Sequence, residues 1–147
     1  MKFQKQISLT PGIENLFNEY LRFYGVTKGA DEIKMFLKNN LAMSNVVICS
    51  ALNGDVEVGF CQSYIIPNSL SLNKMAIFND LYIAESHRGE GIGKKLMEFN
   101  EKELFAIGVD RCELSTATGN KVAQHLYVRE GWKIESEFHY FYKYISK

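Results

Sequence analysis

The chain has 147 residues, 46% hydrophobic and 23% charged, which suits one globular domain with a buried core. Seventeen basic residues balance seventeen acidic ones, so no net field would gather nucleic acid or an anionic membrane surface. No apolar run approaches the roughly 20 residues that cross a bilayer, and Met1-Lys2-Phe3-Gln4-Lys5 lacks the apolar centre of a signal peptide. The expectation is a single cytoplasmic domain over residues 1–147, with no nucleic-acid or membrane partner.

Strands and helices alternate along the chain. Lys2–Ser8 reads as a first strand, and Thr10 as the cap of a helix with Pro11 at its first position. Ile13, Leu16, Phe17, Tyr20, Leu21 and Tyr24 recur at helical spacing, and Gly25 can end that helix. A second helix runs from about Asp31 to Met43, with Ile33, Phe36, Leu37 and Leu41 on one side. Val46–Ala51 and Val56–Ile65 form a hairpin turned by Asn53-Gly54-Asp55. After a loop over Pro67–Asn73, Lys74–Ala84 is a strand. A helix over roughly Gly91–Ile107 follows, with Ile92, Leu96, Leu104 and Ile107 inward and Gly108 at its end. Arg111–Thr116 is a short strand, and the strand–helix–strand order requires that pair to be parallel. Asn120–Glu130 is a last helix, and the aromatic run Phe138–Ile145 reads as a last strand.

Cys49, Cys61 and Cys112 are odd in number, lack CxxC spacing and fall in strands; they read as small buried hydrophobes in a reducing compartment. No Cys/His cluster has metal-ligand spacing, so no metal is expected. His87, His125 and His139 read as ordinary surface or flank residues.

The most informative stretch is Arg88-Gly89-Glu90-Gly91-Ile92-Gly93-Lys94, which joins a strand to a helix. Alternate glycines let the backbone turn sharply and aim bare N–H groups into one concavity, and the helix adds its positive end. Arg88, Lys94 and Lys95 put cations where they are unfavourable unless an anion joins them. The spacing is neither the G-x-G-x-x-G of a dinucleotide fold nor the G-x-x-x-x-G-K-[ST] of a nucleotide P-loop. What stands is Arg-x-x-Gly-x-Gly, from Arg88, Gly91 and Gly93.

This hexapeptide resembles the acyl-CoA pyrophosphate loop of the GNAT N-acetyltransferase superfamily. A second segment, Thr118–Trp132, is similar to that superfamily's other signature, with Asn120, Ala123, Leu126-Tyr127 and Gly131-Trp132 in its positions. The two signatures stand in the expected order, and the resemblance is specific over roughly Lys74–Trp132. It implies an α/β (α+β) fold: a mixed, mostly antiparallel sheet of six to seven strands with about four helices. It also implies acetyl-CoA as cosubstrate. Its binding residues would be the loop from Arg88 through Gly89, Glu90, Gly91, Ile92 and Gly93 to Lys94, the backbone of Leu81, Tyr82 and Ile83 on a splayed strand, and Asn120, which can equally cap its helix.

Acetyl transfer from a thioester needs a neutral amine, a stabilised oxyanion and a proton for the leaving thiolate. Alkyl amines have pKa values near ~10.4 and thiols near ~8.5, so a proton must leave nitrogen and another must reach sulfur. The resemblance gives the second task to Tyr127. Asp80 is the chosen base, with Glu85 as the other carboxylate in reach of the strand's end. Polyamine-acetylating relatives tend to carry a glutamate where this chain has Asn79, which weakens the carry-over of a base and of a diamine substrate. In the implied fold the first helix borders the acceptor cleft, so Tyr20, Phe23 and Tyr24 are candidate substrate residues, with Glu19 or Asp31 near enough to suit a cation. Trp132 and Phe138–Tyr144 read as core or as a homodimer surface.

The expected activity is acetyl transfer from acetyl-CoA directly to a primary amine of a small molecule. The alternatives are a lysine or N-terminal amine of a peptide or protein, and a non-catalytic acyl-CoA-sensing module, which would dispense with Tyr127.

Overall fold

The computed structural model describes residues 1–146. Five strands, β1 (Lys2–Lys5), β2 (Val46–Asn53), β3 (Val56–Asn68), β4 (Asn73–Ile83) and β5 (Val109–Glu113), form one sheet in the order β1-β2-β3-β4-β5. The first three pairings are antiparallel and β4–β5 is parallel, with α3 (Ile92–Ala106) as the crossover. The other helices are α1 (Pro11–Phe23), α2 (Ala30–Ala42) and α4 (Lys121–Arg129). The chain divides into two compact units, Met1–Ser115 with the sheet and α1–α3, and a second beginning at Thr116 with α4.

The mixed sheet with four helices agrees with expectation, but it has five strands rather than six or seven. The missing element is the aromatic run: residues 138–146 form no strand. Alternating aromatics suit a pleated surface, yet a strand exists only where another strand supplies its ladder, and periodicity does not encode that partner. The first and fifth strands also shift, ending at Lys5 and spanning Val109–Glu113.

Alternation along β3 sorts the core. Phe60 faces α1, where it meets Phe17 with ring centroids 5.7 Å apart, whereas Cys61 and Ser63 face α3. On the first side Ile13, Leu16, Phe17, Ile33, Leu37, Ile48 and Phe60 pack together. On the other, α3 buries Ile92, Leu96, Met97 and Leu104. Two residues depart from the sequence pattern: Phe36 is partly exposed, and Asn40 takes a buried place on α2.

The start of α1 is fixed by its cap. Thr10 Oγ1 accepts from the Ile13 amide at 3.2 Å and donates to Glu57 Oε1 at 2.7 Å, tying the helix to the β2–β3 hairpin. A Cβ at Gly12 would meet the Glu57 carboxylate and push it out of place. Gly25 closes the helix in the left-handed region (φ 71°), with Val26 N–H bonded to Leu21 C=O and Gly25 N–H to Arg22 C=O. Thr10→Ala removes both side-chain bonds and is expected to lower stability by about 1–2 kcal/mol, measured by urea denaturation; an unchanged midpoint would contradict the role of this cap.

Candidate active site

The parallel β4–β5 ladder runs only from Lys74 opposite Val109 to Ile77 opposite Glu113, while β4 continues to Ile83. Beyond Ile77 no strand pairs with that edge among the described residues. The groups it exposes follow from the register. Ala84 N–H donates to Val58 C=O, and Tyr82 stands opposite Phe60, so the alternation of an antiparallel pair turns the Tyr82 amide toward β3. Leu81 and Ile83 therefore present their N–H and C=O groups to the open edge. Of the three consecutive residues expected to offer backbone, two face outward and Tyr82 does not.

β4 leads through a 3-10 turn at Glu85–His87 into the glycine loop. Gly89 (φ 80°) and Gly91 (φ 74°) both occupy the left-handed region, where a side chain is strained. Gly91 is the residue before α3; no side chain caps the helix there, and its first turn holds no acidic residue. The first-turn amides of Ile92, Gly93 and Lys94 thus end the helix without an acceptor from a capping side chain, beside a positive dipole end. Ile92 is buried and can offer only its N–H. Gly93 lies inside the helix, where glycine costs up to about 1 kcal/mol relative to alanine, so backbone conformation does not account for it. Glu90 is exposed, and Lys94 lies 3.7 Å from Glu98.

Arg88 joins the loop to both the strand edge and α1. Its Nε donates to Ile83 C=O at 3.0 Å, and its guanidinium lies 5.3 Å from the Tyr82 ring and 5.7 Å from the Phe23 ring. Tyr82 Oη in turn donates to Glu19 at 3.2 Å. Phe23 contacts Tyr24, Tyr24 contacts Tyr20, and Tyr20 packs edge-on against Phe60 and Tyr82. Tyr20, Phe23 and the capping Tyr24, at the end of α1, therefore form one wall with Tyr82 and Arg88.

Asp80 lies behind this wall and is only 5% exposed. A β-bulge at Asn79 brings Asp80 opposite Gln62. Gln62 Nε2 donates to Asp80 Oδ2 at 2.7 Å and Asn79 Nδ2 to Oδ1 at 3.0 Å. Gln62 also donates to Tyr64 Oη at 3.0 Å, and its Oε1 accepts from Asn40 at 2.9 Å. Burial, a hydrogen bond to Asp80 and the charge of Asp80 push the Tyr20 phenol well above the usual tyrosine range. Burial and then Asp80 raise Tyr64; burial and then Glu19 raise Tyr82. The sequence reading did not single out Gln62, Asn40 or Tyr64. The available signal was an amide inside the apolar run Val58–Ile65, and another three residues after Leu37 on the buried side of α2.

In the second unit, Asn120 Oδ1 accepts from the Ala123 amide at 3.2 Å and caps α4. Its Nδ2 makes no hydrogen bond among the described residues. Gly131 (φ 88°) closes α4, with Trp132 N–H bonded to Tyr127 C=O at 3.0 Å and Gly131 N–H to Val128 C=O at 3.1 Å. This closure sets the Trp132 ring 6.2 Å from the Tyr127 ring. The Gly-aromatic pair thus has a mechanical role: it ends the helix and holds the tyrosine ring.

Cys49 and Cys61 are buried, Cys112 is half-buried, and all three are free thiols. Burial raises Cys61 well above the usual thiol range and Cys112 to about 11, which opposes thiolate formation. No group of three or more metal-binding side chains occurs among the described residues. No helix among them is long and apolar enough to cross a membrane.

Comparison with known proteins gives the family. The family model described as "Acetyltransferase (GNAT) family" matches residues 13–132. The chain belongs to the GNAT acetyltransferases. It is 30% identical over 138 residues to the uncharacterized N-acetyltransferase YhfO of Bacillus subtilis (strain 168), covering 93% of each chain. It is also 30% identical over 101 residues to the aminoalkylphosphonate N-acetyltransferase of Salmonella typhimurium, covering 69% of this chain and 65% of the relative. A crystal structure of a probable acetyltransferase superposes with a TM-score of 0.91 at 30% identity, over 100% of this chain and 99% of that one. The protein is an acyltransferase enzyme of a family whose cosubstrate is acetyl-CoA.

Three raised tyrosines have a measurable consequence. Below about pH 10 these phenols are neutral in both folded and unfolded chains. As pH rises further, the unfolded chain loses those protons first, so folded stability is lost with rising pH. An absorbance titration of the native protein should show fewer than its eight tyrosines ionising near pH 10. Tyr20→Phe should leave that early amplitude unchanged and flatten the alkaline loss of stability. A drop of one tyrosine in the early amplitude would contradict the environment assigned to Tyr20.

Proposed function

We propose that this enzyme transfers the acetyl group of acetyl-CoA directly to a primary amine on a small molecule. The observation that carries the cofactor half is the open edge of β4 running into the uncapped amino end of α3. Amides of Ile92, Gly93 and Lys94, with the loop from Arg88 through Gly89, Glu90 and Gly91, suit a pyrophosphate, which needs many donors and a positive end. The outward groups of Leu81 and Ile83 suit the amide-bearing pantetheine arm as an added strand would, with Tyr82 contributing its ring. An outward N–H there can polarise the thioester carbonyl and hold the oxyanion as it forms. The family resemblance also assigns Asn120 to the cofactor, and its Nδ2 makes no hydrogen bond among the described residues.

For the acceptor half, Asp80 is the group assigned to take the ammonium proton, with Tyr20, Phe23 and Tyr24 as the wall against which the amine lies. The nitrogen then attacks the thioester carbon, the C–N bond forms, the C–S bond breaks, and Tyr127 gives the thiolate its proton. The second proton, lost from the acylated nitrogen, restores the Tyr127 phenol, so that the products are the amide, CoA thiol and the proton held by Asp80. Tyr127 is assigned from its place in the family motif and from the Trp132 contact that fixes its ring. The Salmonella relative, named for an aminoalkylphosphonate, favours a small amine over a protein lysine.

Gly93→Val places a branched side chain over the helix end without demanding an unusual backbone. The expected result is a folded protein whose CoA affinity, by calorimetry, falls at least tenfold; unchanged affinity would overturn the pyrophosphate assignment. Tyr127→Phe keeps the ring and removes the hydroxyl. It should lower kcat by about 10²–10⁴ in a CoA-release assay with little change in CoA binding. Near wild-type kcat would leave solvent as the proton source.

A further inference from the structure

Asp80 is a nearly buried carboxylate that no lysine, arginine or histidine pairs with among the described residues. Burying a charge without a counter-ion is costly, and neutral donors offset that cost only if each is aimed at a lone pair. Donor and acceptor chemistry dictates how the donors must point. A carboxylate only accepts, so the Nε2 end of Gln62 must face Asp80, and its Oε1 must face the other way. There Asn40 Nδ2 meets it at 2.9 Å, reversing which would set two acceptors or two donors against each other. Gln62 is fully buried and Asn40 is 7% exposed, so water is excluded as a substitute partner. The second Gln62 proton goes to Tyr64 Oη, which Asn40 also reaches at 3.2 Å.

The result is a directional chain, Asn40 to Gln62 to Asp80, running from α2 through β3 to β4. Nothing else in the core requires it, because apolar side chains of similar shape would fill the same volume without desolvating three polar groups. Asn79 reaches the other oxygen from an exposed position and the half-buried Tyr20 hydroxyl also hydrogen-bonds the carboxylate, whereas Gln62 is held at both ends of its amide.

We propose that Gln62, clamped by Asn40, is a positioning residue that fixes the Asp80 carboxylate for the acceptor amine. This rests on Asp80 being the base. No bond is made or broken by Gln62; its donated hydrogen bond persists as Asp80 gains the proton that the ammonium loses.

The test is a double-mutant cycle on kcat/KM for the amine, read by CoA release with n-alkylamines and an aminoalkylphosphonate as acceptors. Gln62→Met keeps the volume and removes the donor. It should cost about 10–100-fold for the amine, with KM for acetyl-CoA unchanged. In an Asp80→Asn background the same change should cost almost nothing, since its effect passes through the carboxylate. Undiminished loss in that background, or an equal rise in the acetyl-CoA KM, would overturn the positioning role while leaving the base intact. An Asp80→Asn enzyme of wild-type activity would instead overturn the base, and the positioning role with it. Should Gln62→Met fail to fold, Asn40→Ala frees the amide and should show the same dependence at smaller amplitude. Independently of any acceptor, the Gln62 side-chain amide should give slowly exchanging proton signals that shift on Asp80→Asn; fast exchange and no shift would overturn the proposal.

Discussion

The parallel ladder between β4 and β5 stops after Ile77, and most of the candidate site follows from that. A strand that loses its neighbour partway leaves N–H and C=O groups that would ordinarily be paired, and buried ones must find a partner. Here Leu81 and Ile83 present those groups beside a helix whose first turn also lacks side-chain acceptors. Arg88 already satisfies one of them, the Ile83 carbonyl, from a guanidinium flanked by Tyr82 and Phe23. Strand edge, loop and α1 are thereby linked in the protein alone.

The bulge at Asn79 does comparable work on the opposite side of β4. Side chains alternate along a strand, so one extra residue changes which face each later residue occupies. It is this shift that sets Asp80 beside Gln62, under Tyr20, on the face covered by α1 and α2. The carboxylate then sits among neutral donors, and its charge raises two neighbouring phenols. The polar chain through Asn40 and Gln62 and the aromatic wall of α1 meet at this one group.

Residues with the same letter in a motif do different physical work. Gly91 is explained by its left-handed backbone, whereas Gly93 is helical and has no such conformational reason. Gly131 closes α4, and Trp132 after it carries the contact to Tyr127. Asn120 uses its oxygen as a cap and keeps its amide hydrogens available. These distinctions depend on dihedral angles and hydrogen bonds rather than residue identity.

Much was legible in the sequence because it is written locally. Helical spacing located α1 to α3, Thr10 and Pro11 marked a start, Gly25 and Gly108 marked ends, and the two motifs pointed to the family and to α4. Asp80, Arg88 and the α1 aromatics could be nominated because their residue types suit the chemistry at those positions. What the sequence could not determine were the pairings between distant segments. The run from Phe138 to Ile145 has the alternation of a strand but no ladder, Phe36 fits the helical stripe yet stays partly exposed, and the bulge that turns Asp80 toward Gln62 leaves no mark in the spacing. Only the tertiary structure decided that Asn40, Gln62 and Asp80, separated in sequence by 22 and 18 residues, share one hydrogen-bonded chain. Periodicity records which way a side chain points along its own element, while hydrogen-bond partners are set by which elements meet and in what register.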